Sequence, residues 1–184
     1  MTGVEVVKAD ITRETSDAIV NAANPWLEDG GGVAGAIHRA AGPALLSECM
    51  SLPVVSNGYR CPTGEARITG AGKLKCKFVI HTVGPNCQSG YSPDIHDALL
   101  AAAYRNSLAL VAERGLKSVS FPSISTGIYS FPKERAVKIA ASEIAAFLAN
   151  HLDVKVRICL LGHDADETKA LYEQAFAAAM PDHS

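Results

Sequence analysis

The sequence has little net charge and no long apolar run, and each shortage closes off a class of function. Its 17 Lys and Arg against 19 Asp and Glu give a formal net charge of -2. Such a balance gives no support for binding DNA or a membrane surface by bulk charge, although local dipoles could still hold one nucleotide. No stretch approaches the roughly 20 apolar residues that cross a bilayer. The opening MTGVEVVKADITRE is charged within ten residues and has no apolar signal-peptide core, so a cytoplasmic protein is expected. The five cysteines, Cys49, Cys61, Cys76, Cys87 and Cys159, are odd in number and scattered, with no CxxC or Cys/His zinc spacing. Free thiols in a reducing compartment are therefore expected, and neither a disulfide framework nor a metal site. GxxxxGK[ST] is missing too, as is a clear Mg²⁺ ligand set, which counts against an ATPase or kinase.

What is present reads as one domain over residues 1–184. The chain is 48% hydrophobic and 20% charged, ordinary values for a globular protein long enough to bury one real core. Six short runs rich in Val and Ile are strand candidates: VEVVKA, AIVNAA, EARITGA, KFVIHTV, SVSFPSI and VKVRICLL. Several are apolar almost throughout, as in a sheet covered on both faces. Helical spacing lies between them. Ile37, Ala41 and Leu45 share a face of a first helix; Leu100, Tyr104, Leu108 and Val111 do so in a second, and Val137, Ala141, Ile144 and Leu148 in a third. A last helix begins near Asp166, and Gly115 is placed to cap the second one. This alternation predicts a three-layer α/β sandwich around a largely parallel sheet. In such folds ligands lie beyond the carboxyl ends of the strands.

Two strand-to-helix loops carry the chemistry. The stretch from Asn21 to Gly42 reads NAANPWLEDGGGVAGAIHRAAG. Adjacent glycines cost backbone entropy, and one physical return is close approach of main-chain N–H groups to an anion. With a helix starting near Val33, its free amides and positive dipole add to the glycine loop. The bland alternative is a flexible linker. The second loop, SISTGIYSFP from Ser123 to Pro132, offers the hydroxyls of Ser125 and Thr126 beside Gly127 and a following helix start. Its alternative is local capping of a turn. Two facing anion loops suit a diphosphate.

The blocks ADIT (Ala9–Thr12), NAAN (Asn21–Asn24), GGGVAGAIHRAAGP (Gly30–Pro43), CPTGEA (Cys61–Ala66), HTVGPN (His81–Asn86) and FPSISTGIYSFP (Phe121–Pro132) together resemble a macrodomain. The branch they are most similar to is the MacroD type, which removes ADP-ribose. The resemblance spans nearly the whole chain and implies an α/β/α sandwich with a mixed six- to seven-stranded sheet and a cleft for ADP-ribose. By that resemblance Asp10 accepts a hydrogen bond from the adenine amine with Ile11 beside it. Gly31, Gly32, Val33 and Ala34 line the diphosphate, and Ser125, Thr126, Gly127, Ile128 and Tyr129 close over it. Asn24 holds the distal ribose, with Asn21 the structural member of the pair. Asn24, Gly32 and His38 form the expected catalytic set, His38 in a supporting role through a hydrogen bond to the Asn24 loop; its alternative is a satisfied packing histidine. His81, within KFVIHTV, is expected to be buried.

Two positions depart from the family pattern. Many MacroD-type enzymes have an aspartate where this chain has Ala34, whereas viral macrodomains share GGGVAGA. The family often stacks an aromatic on adenine after the last strand; LLGHDAD stands there, leaving His163 either to stack or to be a solvated loop residue. The implied activity is hydrolysis of ADP-ribose from acidic side chains or from O-acetyl-ADP-ribose, with no cofactor and no metal. The alternatives are a non-catalytic ADP-ribose-binding module and a phosphatase of ADP-ribose 1''-phosphate. The expected partners are ADP-ribose, ADP-ribosylated proteins and O-acetyl-ADP-ribose, with nucleic-acid-linked ADP-ribose left open. A monomer away from membranes is expected.

Overall fold

The computed structural model describes residues 2–181, so the unit expected over 1–184 runs past the described part at both ends. All six apolar runs form strands: β1 (Val4–Lys8), β2 (Ala18–Ala22), β3 (Ala66–Gly70), β4 (Phe78–Thr82), β5 (Ser118–Phe121) and β6 (Lys155–Leu160). They make one sheet in the order β1-β6-β5-β2-β4-β3. Every pair is parallel except β3 with β4, so the sheet is mixed and largely parallel. Among the described residues five α-helices complete the fold: α1 (Gly32–Ala41), α2 (Pro43–Ser51), α3 (Pro93–Glu113), α4 (Lys133–Leu148) and α5 (Ala165–Ala179).

One helix expectation is corrected. Ile37, Ala41 and Leu45 do not share a helix, because Gly42 adopts φ 81° and Pro43 begins α2. Proline lacks the N–H that would continue the ladder, so it restarts the helix instead. Leu45 still reaches the same apolar cluster as Ile37 and Ala41, from the second helix. Gly115 does cap α3: its amide donates to Ala112 O at 3.1 Å, and Leu116 N donates to Val111 O at 2.9 Å. Those two bonds satisfy carbonyls that the helix end would leave bare.

The period-two alternation of β2 and β4 divides the core. Ala18, Val20 and Ile80 face the cluster that includes residues of α3, α4 and α5. Ile19, Ala23, Val79 and Val83 face the smaller cluster with α1 and α2. Helices therefore cover both faces, as the apolar strands require.

Asn21 and His81 are opposite partners on β2 and β4 and are fully buried. Asn21 Nδ2 donates to His81 Nδ1 at 3.1 Å, so Nε2 carries the proton and donates to Thr69 Oγ1 at 2.9 Å. The Thr69 hydroxyl passes on to Gly70 O at 2.9 Å. This chain of bonds ties β2, β4 and β3 under α1 and α2. Burial pushes the His81 imidazole down to about 3 from its ordinary 6.5, with the nearby His38 adding to the effect.

His81 thus stays neutral in the fold while the unfolded chain takes up a proton below pH 6.5. Its stabilisation is complete above that pH and is lost as pH falls towards 3, at up to ~1.4 kcal/mol per pH unit. Urea denaturation across this range should show a shallower slope for His81→Gln than for the natural protein. An unchanged slope would contradict this assignment.

Candidate functional site: a cleft at the strand ends

The parallel strands β1, β6, β5 and β2 end side by side, and the segments leaving them wall a cleft of about 620 Å³. Asp10 and Ile11 come from the end of β1, Leu160, Leu161 and Gly162 from β6, Pro122 to Tyr129 from β5, and Asn24 with Gly30 to Ala34 from β2. The order of strands therefore sets the order of chemistry along the cleft, from Asp10 at one end to Asn24 at the other.

Near the Asn24 end, one wall is the start of α1. The first helical bond from its N-cap runs from Gly35 N to Gly31 O at 3.2 Å. The amides of Gly32, Val33 and Ala34 precede that bond and have no intrahelical acceptor. Gly32 adopts φ +57°, and nothing lies within 4 Å of where its Cβ would stand. The opposite wall is the turn after β5. Ser130 N donates to Gly127 O and Phe131 N to Ser125 O, which fixes the curve of the turn. The amides of Thr126, Gly127, Ile128 and Tyr129 donate to no acceptor among the described residues. The two walls nearly meet: Ile128 Cδ1 stands 3.8 Å from the Cβ position of Gly31.

Charge in the cleft is sparse and already engaged. Asp10 Oδ1 accepts from Thr12 Oγ1 at 2.7 Å and Thr12 N at 3.0 Å. Those two bonds hold its carboxyl below the usual range, and leave Oδ2 free to accept. Lys133, the one cationic side chain among the described residues of the cleft wall, is paired with Asp164. Asn24 closes its own turn, with Nδ2 donating to Glu28 O and Oδ1 accepting from Glu28 N, each at 3.1 Å. An amide group has two protons and two lone pairs, so one of each remains for a ligand. An anion here meets main-chain N–H groups rather than side-chain cations, each bond to charge being worth roughly 1.5–3 kcal/mol.

Two expected site residues stand away from the cleft. His38 is buried inside α1, does not line the cleft, and makes no hydrogen bond through either ring nitrogen. The expected bond from His38 to the Asn24 loop is not made. Burial lowers its pKa, against a smaller opposing pull from Asp29. His163 is exposed and lies outside the cleft wall; Leu161 and Gly162 stand at that end instead. The other expected ligand positions, Asp10, Ile11, Asn24, Gly31, Gly32, Val33, Ala34 and Ser125 to Tyr129, all line the one cleft.

Residues 20–140 match the Macro domain family. The chain belongs to that family. This macrodomain is 49% identical over 173 residues to an O-acetyl-ADP-ribose deacetylase of Shigella flexneri serotype 5b, covering 94% of each chain. It is also 49% identical to a Thermotoga maritima protein, of which it spans only 28% of the length. The Oceanobacillus iheyensis macrodomain solved with ADP superposes with a TM-score of 0.86 at 44% identity, covering 95% of this chain and 90% of that one. A Trypanosoma brucei macrodomain in complex with ADP-ribose gives 0.79 at 38% identity, over 94% of this chain and 68% of that one.

Sequence reading assigned no role to Gly84, although HTVGPN holds it. A Cβ there would stand 2.0 Å from Ser125 Oγ and 2.7 Å from Ile124 Cγ2. Only glycine lets the β5 turn settle so closely on the segment after β4. Ser125 meanwhile holds φ +66°, with its buried hydroxyl unpartnered. Gly84→Ala must displace that turn, and overpacking of this kind costs about 1–3 kcal/mol. Thermal and urea unfolding of the variant check this; natural stability would contradict it.

Proposed function

We propose that this macrodomain hydrolyses esters of ADP-ribose, releasing acetate from O-acetyl-ADP-ribose and freeing ADP-ribose from mono-ADP-ribosylated acidic side chains. The observation that carries the reading is the pair of turns whose unengaged amides face one another across the cleft, with Asp10 at one end and Asn24 at the other. Its span and donors suit a diphosphate between an adenine and a second ribose. The deacetylase among its relatives supports the same chemistry.

In this reading Asp10 Oδ2 takes the adenine amine beside Ile11. The amides of Gly31, Gly32, Val33 and Ala34, and those from Ser125 to Tyr129, hold the two phosphates. Asn24 uses its spare proton and lone pair to orient the distal ribose and a water. Water adds to the anomeric carbon as the bond to the carboxylate breaks, and the carboxylate leaves with the bonding electrons. The transition state has the oxocarbenium character of glycoside cleavage. A carboxylate has a conjugate acid of pKa about 4, so its departure needs no strong general acid. Asp10 and Asp164 are the acidic residues among those that line the cleft and Ala34 opens the helix side, while the exposed Glu28 and Asp29 of the Asn24 turn do not line it. The water's proton therefore passes to a phosphate oxygen of the substrate. Placing the reactants and the nearby anion supplies the rate.

A second reading is favoured by Ala34 itself: a module that binds ADP-ribose without turning it over. Incubation with O-acetyl-ADP-ribose, glutamate-linked mono-ADP-ribosylated protein and ADP-ribose 1''-phosphate, followed by release of ADP-ribose, separates hydrolase, module and phosphatase. Hydrolysis of the first two is expected, and binding without turnover of any would decide for the module. Asn24→Ala should lower turnover about 10²-fold while changing ADP-ribose affinity far less; equal losses would remove Asn24 from the mechanism. Ser125→Ala should leave the free protein as stable or more so, since an unpartnered buried hydroxyl is removed. It should weaken ADP-ribose binding by roughly 1–3 kcal/mol, and unfolding combined with calorimetry checks both halves.

A further inference from the structure

Next to the Asn24 turn stands an exposed apolar surface that the cleft does not use. Residues 55–59 form a tight hairpin, with Val55 N donating to Tyr59 O at 2.8 Å and Tyr59 N to Ser56 O at 2.6 Å. Asn57 and Gly58 turn it with φ of 47° and 77°, as a two-residue hairpin loop requires. Arg60 clamps it to the neighbouring turn: its guanidinium donates to the carbonyls of Leu52, Trp26 and Met50. The amides of Arg60 and Cys61 both donate to Pro25 O. Trp26 meets Tyr59 edge to face, with ring centroids 5.6 Å apart. Trp26 is nevertheless 44% exposed, and Val54 and Val55 are 54% and 52% exposed.

Its place relative to the cleft says what covers it. Trp26 follows Asn24 by two residues, and Tyr59 lies near enough to Tyr129 of the cleft wall to discourage its ionisation, after burial as the larger cause. The following segment bonds the end of β4, through Gly64 N to Val83 O at 2.8 Å. In the strand order this is the side of β2 away from Asp10. An ADP-ribosyl group lying from Asp10 to Asn24 presents its distal ribose here, so whatever that ribose is attached to leaves over this surface. We propose that Trp26, Tyr59, Val54 and Val55 form a platform for the polypeptide that bears the ADP-ribose, seating an apolar side chain beside the modified acidic residue. The proposal rests on the ADP-ribose reading of the cleft. Acetate is too small to reach the platform. A nucleic acid would meet the exposed carboxylates of Glu28 and Asp29, while the Arg60 charge is turned inward on carbonyls. Exposed aromatic anchors beside smaller apolar contacts are what a peptide-binding surface uses.

The test compares Trp26→Ala, and separately Val54→Ser with Val55→Ser, on glutamate-linked ADP-ribosylated protein, O-acetyl-ADP-ribose and an ADP-ribosylated oligonucleotide end. Each variant should lower kcat/KM on the protein about tenfold and leave O-acetyl-ADP-ribose within about twofold. The serine pair replaces exposed side chains only, so it answers for a Trp26→Ala chain that fails to fold. Equal losses on protein and acetyl ester, no loss on the protein, or a loss confined to the oligonucleotide would each overturn the platform. Should the natural protein hydrolyse nothing, the hydrolase reading fails on its own. The platform is then judged by calorimetry: it requires the modified protein to bind more tightly than free ADP-ribose, with the variants erasing the difference, and equal affinities would overturn it.

Discussion

Backbone N–H groups left without acceptors are the constraint on which the rest of the structure depends. This chain keeps two sets of amides without a protein acceptor on the walls of one cleft. One set opens α1 and the other lines the turn after β5. The arrangement persists because the surrounding fold gives those amides no alternative. Gly32 in the left-handed region directs the helix start, and Gly84 lets Ser125 press against the neighbouring strand end with its hydroxyl bare. In the proposed reading an anion supplies acceptors to both walls at once.

The sheet explains why this unsatisfied edge does not collapse. Four parallel strands end together, and their interiors are locked from both faces by apolar packing. Beneath α1 and α2 the buried sequence Asn21, His81, Thr69 adds directional bonds across three strands. Deeper under the β1 and β6 side, Glu14 accepts from Arg157, Ser120 and Cys159, tying the ends of distant segments together. Rigid strands thus carry turns that are free to serve a ligand. The same division separates roles within NAAN: Asn21 is spent on the sheet, whereas Asn24 keeps half of its hydrogen-bonding capacity.

Much of the fold was legible because burial on both faces leaves a plain mark on sequence. Six Val- and Ile-rich runs became six strands, and the glycine loop fell between strand and helix where an anion site was expected. The break between α1 and α2 was hidden, since the apolar spacing of Ile37, Ala41 and Leu45 continues smoothly through it while Gly42 and Pro43 turn the chain. His38 is buried within α1 and His163 is exposed, the packing and the solvated places that had been left open for them. Side-chain type signals possible chemistry, but the direction of the side chain is decided by helix phase in the first case and by loop geometry in the second. Gly84 was invisible as a site residue because its contact, Ser125, lies far along the chain. The hairpin at residues 55–59 was not read from the sequence, its Asn57-Gly58 turn obscured by the absence of regular strands around it.

In the proposed reading no side-chain cation among the described residues of the cleft wall is free to grip the phosphates; Lys133 is already paired with Asp164. Calorimetric titration with ADP-ribose at low and at high ionic strength addresses that claim directly. Main-chain recognition inside a partly buried cleft predicts saturable binding whose affinity changes little, within about threefold, as salt screens the surface. No saturable binding, or an affinity that falls about tenfold or more with salt, would contradict it.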